Sequence, residues 1–103
     1  MLLLPEHLKL RLPPLHAQEA EIDPLVYLRF YLPGTARAWY VMEGQDDGDD
    51  FRFFGFIAGD ACKFGSFTLS ELEQLRGPTG LTVARDEEFQ QGRLTNVVPA
   101  PDL

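Results

Sequence analysis

Three stretches decide the fold: Leu25-Val-Tyr-Leu-Arg-Phe-Tyr-Leu32, Arg37-Ala-Trp-Tyr-Val-Met-Glu43 and Phe51-Arg-Phe-Phe-Gly-Phe-Ile57. Each is short, rich in aromatic and β-branched residues, and bounded by Pro, Gly or Asp, the pattern of half-buried strands. Side chains alternate across a strand, so Val26, Leu28, Phe30 and Leu32 share one side of the first, with Tyr27, Arg29 and Tyr31 on the other. Pro33-Gly34 supplies a turn. The second stretch sets Trp39 and Val41 against Ala38, Tyr40 and Met42. The third sets Phe51, Phe53 and Ile57 against Phe54 and Phe56. Rings on both faces of one strand imply that both faces are covered, or that one is a binding surface.

Between the second and third stretches, residues 44–50 carry four aspartates and two glycines and read as a polar hairpin loop. Residues 59–65 read as a turn holding Cys62. A helix over residues 69–76 has its start and stop chemistry written in: Thr68 as N-cap, Glu71 as capping-box partner, and Leu72 and Leu75 as apolar stripe. Arg76 complements the helix C-terminus, Gly77 suits a left-handed cap, and Pro78 forbids continuation. Residues 81–84 read as a further strand and residues 85–89 as a turn. At the N-terminus, Pro5-Glu6 opens a helical turn that places Leu8 and Leu12 on one side, and Pro13-Pro14 ends it.

The expected fold class is α+β. An antiparallel meander sheet of four to five strands carries one short helix, about residues 69–76, packed on a face, with an N-terminal arm. One domain spans residues 1–103, with the arm at 1–20, the sheet and helix core at 22–89, and a loosely ordered tail at 90–103.

Sixteen acidic residues against nine basic ones give a formal charge of −7. Affinity for nucleic acid rests on Lys and Arg neutralising phosphates, so this balance opposes direct nucleic-acid binding and attachment to an anionic membrane. A partner with a basic surface fits the sign. The single cysteine excludes an intramolecular disulfide and a cysteine-based zinc cluster. The opening Met1-Leu-Leu-Leu-Pro5-Glu6 is too short an apolar run for a signal peptide, and nothing approaches the roughly 20 apolar residues of a membrane span. The cytoplasm is the expected address.

Little in the chain points to catalysis. His7 and His16 lie nine residues apart, not at the spacing that aims two imidazoles at one ion. Asp46, Asp47, Asp49 and Asp50 lack the order of a calcium loop, and neither metal nor cofactor is expected. Ser66 and Ser70 lack a nucleophile elbow. Cys62, beside Lys63, reads as a small buried thiol. Only Asp23, Glu43 and Asp86, each at the edge of an element, suit acid–base work or a shared metal. Tyr27, Tyr31, Phe54 and Phe56 with Arg29 and Arg52 have the residue types of a stacking platform for single strands, against the acidity of the whole.

Several motifs then occur in order: Asp23-Pro24, Trp39-Tyr40-Val-Met-Glu43, Phe53-Phe54-Gly55-Phe56, Gly65-Ser-Phe67-Thr-Leu-Ser-Glu71-Leu72 and Arg76-Gly77-Pro-Thr-Gly80-Leu81-Thr-Val-Ala-Arg85-Asp86. Together they resemble a family of small bacterial proteins classed only as a domain of unknown function, across about residues 4–90. Ala38 and Ala84 depart from it, standing where the family is associated with Thr and Glu. The resemblance implies carriage on plasmids, integrative conjugative elements and phage-like islands, and it brings no reaction or catalytic residue.

The expectation is a noncatalytic accessory protein that binds a protein partner through an acidic and aromatic surface, in one version as a nucleic-acid mimic. Candidate contact residues are Asp46, Asp47, Asp49, Asp50, Tyr27, Tyr31, Trp39, Arg76 and Arg85. The alternative is a small metal-assisted hydrolase or nuclease using Asp23, Glu43 and Asp86.

Overall fold

A computed structural model describes residues 2–103. The chain runs through α1 (Glu6–Lys9), β1 (Leu25–Val26), β2 (Leu28–Tyr31), β3 (Ala38–Asp47), β4 (Asp50–Ala58), β5 (Lys63–Thr68), α2 (Leu69–Gln74), β6 (Ala84–Arg85), β7 (Gly92–Arg93) and α3 (Leu94–Val97), and ends in a 3-10 turn, Ala100–Asp102. Five strands form an antiparallel sheet in the order β5-β4-β3-β2-β6, and β1 pairs with β7 in a separate two-stranded sheet. The result is the α+β meander expected from the three aromatic stretches. No helix among the described residues is long and apolar enough to cross a membrane.

Each face of the large sheet carries a buried cluster, which is why the third stretch has rings on both sides. On one face Leu28, Phe30, Trp39, Val41, Phe53 and Phe67 pack with Leu72 of α2 and with Leu4, Leu8 and Leu12 of the N-terminal arm. Phe53 lies at its centre, 5.6 Å from Phe30 and 5.3 Å from Phe67 between ring centroids. On the other face Tyr40, Met42, Phe56 and Ala58 pack with Val26, Leu94 and Val98. The arm is therefore structural, and Pro5 stands at the N-cap of α1, one residue before the first helical position at Glu6.

The helix α2 starts as its capping box dictates: the Glu71 N–H donates to Thr68 Oγ1 at 3.2 Å, and the Arg76 guanidinium donates to the carbonyls of Glu73 and Leu75 near its end. Left-handed backbone appears at Gly80 (φ 82°) and not at Gly77, because the chain leaves α2 through an extended Leu75.

Further sequence expectations are corrected, among them the strand at 81–84, which is β6 at Ala84–Arg85. The first stretch is not one strand: it breaks at Tyr27, so Val26 joins the second core while Leu28 joins the first. The aspartate-rich segment is not a loop but the end of a long hairpin, with Asp47 paired to Asp50 across Gly48 and Asp49. Gly48, at φ 65°, takes the left-handed value that so tight a reversal needs. An antiparallel ladder closes its own hydrogen bonds, so this polar ribbon persists without burial. Part of the expected turn at 59–65 belongs to β5, where only Phe67 and Thr68 are buried and the alternation is hard to see. Residues 90–103 are integrated rather than loose: β7 pairs with β1, and Leu94 and Val98 are buried.

Candidate functional site

Between Val41 and Glu43 the register of β3 against β4 shifts by one residue: Val41 faces Gly55 while Glu43 faces Phe54. Met42 is the extra residue, a β-bulge that brings Tyr40, Met42 and Glu43 to the same side of the sheet. A bulge leaves backbone groups out of the ladder, and these need partners. Here Gln18 supplies one, donating from Nε2 to the Met42 carbonyl at 2.9 Å and to the Leu25 carbonyl at 2.9 Å, while its Oε1 accepts the Leu25 N–H at 2.7 Å.

Glu43 itself is 3 % exposed. Its two carboxylate oxygens each accept a backbone N–H, from His16 at 2.8 Å and from Gln18 at 2.7 Å. The Gly44 N–H donates to the Pro13 carbonyl at 2.9 Å, and the Leu15 N–H donates to Gln45 Oε1 at 3.1 Å. Residues 13–18 are thus sewn to residues 42–45, and His16 takes φ 74°, a left-handed conformation uncommon for any residue other than glycine.

This anchored segment forms one wall of a cleft of about 600 Å³. The opposite wall is the aromatic surface of β4 and β5, where Phe54 and Phe64 stack nearly parallel at 6.4 Å and Phe56 meets Phe64 edge-on at 5.2 Å. Leu15, Ile22, Pro24 and Met42 add apolar surface, and Glu19 and Glu21 add negative charge. Arg52 crosses one side, donating from Nε to Asp47 at 3.0 Å and from Nη1 to Ser66 Oγ at 3.4 Å. Two large apolar side chains stay uncovered here: Ile22 is fully exposed, and Phe64 is 50 % exposed. Apolar side chains held open to solvent beside a concave surface are a mark of contact with another molecule.

Of the residues singled out from sequence, Glu43, Arg52 and Phe54 line this cleft, and the others lie elsewhere or have other work. Asp23 accepts the Thr95 N–H at 3.0 Å and the Thr95 hydroxyl at 2.6 Å, and these bonds hold its carboxyl below the ordinary carboxylate value. Asp86 pairs with Arg29 at 3.3 Å and accepts the Glu88 N–H. Glu43 is the anchor just described. The three carboxylates occupy three separate networks, and among the described residues no group of three or more His, Cys, Asp or Glu is placed to hold a metal.

Of the hairpin aspartates, Asp47 is committed to Arg52. Asp50 accepts from the Phe51 N–H, the Ser70 N–H and the Ser70 hydroxyl, and the Ser70 hydroxyl is the main cause of its lowered pKa. Asp46 and Asp49 are exposed. Trp39 is buried in the first core with Arg37 over its ring. Tyr27 packs against that same core and Tyr31 against the other, so a platform of Tyr27, Tyr31, Phe54 and Phe56 on one open face does not form, and Phe56 is buried. Arg85 donates to the Leu2 and Leu3 carbonyls, tying down the N-terminal arm. Cys62 is exposed, not buried.

Sequence reasoning missed Ile22 and Phe64 as surface residues. The one signal for Ile22 is a lone isoleucine among Glu19, Glu21 and Asp23, where no strand or helix gives it a core to enter.

No curated protein and no solved structure matches the chain. A family model does match, over residues 3–99, and the chain therefore belongs to the DUF2958 family, described as proteins of unknown function.

Proposed function

We propose that the chain is a noncatalytic accessory protein that binds a protein partner in the cleft between residues 15–24 and the β4–β5 face. The observation that carries this reading is the pairing of an apolar floor with uncovered Phe64 and Ile22, flanked by Glu19 and Glu21. An apolar contact supplies affinity, and the acidic flank selects a segment carrying Lys or Arg. The chain's charge of −7 extends that preference beyond the cleft. The setting, a mobile genetic element, rests on the family resemblance alone. A nucleic-acid mimic is a weaker form of the same reading, because two of its four hairpin aspartates are already tied into internal bonds.

The test is capture from the native host with the wild-type chain and with Phe64→Ser, identification of proteins retained by the first only, and reconstitution with purified components. A partner that binds the wild type and loses at least tenfold in affinity to Phe64→Ser supports the cleft. A partner indifferent to Phe64 removes it.

A further inference from the structure

Among the described residues, the two edges of the sheet differ in length and in what borders them. At the β6 end the edge strand is two residues long and packs beside the N-terminal arm, where Arg85 holds the Leu2 and Leu3 carbonyls. At the other end β5 is six residues long, pairs with β4 on one side only, and is exposed at Lys63, Phe64 and Ser66. An edge strand displays backbone N–H and C=O groups that template a further strand, and proteins blunt such edges with charge, proline or bulges. Beyond Lys63 the run Phe64-Gly65-Ser66 has none of these.

The open edge borders the cleft. Phe64 and Ser66 pair with Phe56 and Phe54, so their side chains share the cleft's face of the sheet, and both Phe64 and Ser66 line it. We propose, resting on the cleft reading above, that the partner contributes an extended segment that pairs as an additional strand along Lys63–Ser66. Alternate side chains of that segment, apolar ones, seat against Phe64 at the mouth of the cleft. Lys or Arg at other positions of that same alternate set meet Glu19 and Glu21. Main-chain hydrogen bonds then supply affinity, and the cleft reads every second side chain. A second copy of this chain is the poorer occupant, since pairing two β5 edges brings together two bodies of charge −7.

The experiment uses the full chain and a displayed library of random short peptides, counter-selected on Phe64→Ser. Selected peptides are expected to carry both their apolar and their basic residues at every second position, so that all of them face the cleft. A selected peptide, added to isotope-labelled chain, is expected to slow amide exchange within Lys63–Ser66 by about tenfold or more. Methylating alternate backbone nitrogens of the peptide, which removes strand pairing but keeps every side chain, is expected to abolish binding. Peptides that bind through Phe64 but tolerate that methylation, and leave β5 exchange unchanged, overturn strand addition while leaving the cleft reading in place. Enrichment of no Phe64-dependent peptide overturns both. Concentration-dependent dimerisation lost on Phe64→Ser, seen by sedimentation, overturns the choice of a foreign partner.

Discussion

Glu43 holds Gln18 in place: its carboxylate accepts the Gln18 backbone N–H at 2.7 Å from a position almost wholly buried beneath the N-terminal segment. The other oxygen takes the His16 N–H, so one side chain fixes the wall of the cleft. Truncation leaves two backbone donors without their charged acceptor. Glu43→Ala is expected to lower unfolding free energy by about 3 kcal/mol, from the usual cost of losing hydrogen bonds to a charged group. Urea unfolding measures this, and increased proteolysis at residues 13–22 locates it.

Asp50 ties the hairpin to the start of α2 through Ser70, and its carboxyl is held below the ordinary 3.8 chiefly by the Ser70 hydroxyl. A carboxyl with a depressed folded-state pKa contributes stability that is present above the unfolded value and lost as pH falls through the folded one. Asp23, held down by Thr95, acts in the same direction. Stability is therefore expected to fall as pH drops below 3.8. Asp50→Asn is expected to be less stable than wild type at neutral pH and to show a smaller acid loss, measured as the urea midpoint across an acid pH series.

Gly55 faces Val41 beside the bulge, and a Cβ there would fall on the Tyr40 carbonyl oxygen. Backbone cannot yield as a side-chain tip can. Gly55→Ala is expected to cost about 3 kcal/mol or more, by overpacking against the ladder. Gly48→Ala, with open space around it but φ 65°, is expected to cost only about 1 kcal/mol. Thermal unfolding of the two variants compares them directly.

The C-terminal segment helps cover the second face through Leu94 and Val98. Leu94→Ala is expected to cost about 2–3 kcal/mol through the cavity it leaves beside Val26 and Tyr40. Phe64→Ser, at a half-exposed site, is expected to change stability by less than about 1 kcal/mol. Calorimetry distinguishes the two, and the second result is what lets Phe64→Ser serve as a binding variant.

How much of this was legible follows from where the signals lie. β3 and β4 were readable because Trp39, Tyr40, Phe53 and Phe56 alternate between two buried faces. The start of α2 was readable because capping is local chemistry. The bulge at Met42 was not, since an inserted residue shows only against its partner strand. Nor was the role of Glu43: its partners lie 25 and 27 residues away. The tail looked loose because Gly92, Asn96, Pro99 and Pro101 break any periodicity, yet Leu94 and Val98 suffice to dock it. The cleft depends on residues 15–24 and β4–β5 lying on its two sides, which no local pattern records.

Hydrogen–deuterium exchange on the chain with its reconstituted partner shows whether the partner sits in the cleft. Slowed exchange at residues 15–22 and 63–66, with little change at the hairpin tip 46–49, is the expected footprint. A footprint confined to the hairpin tip, or one that leaves both walls of the cleft untouched, would contradict it.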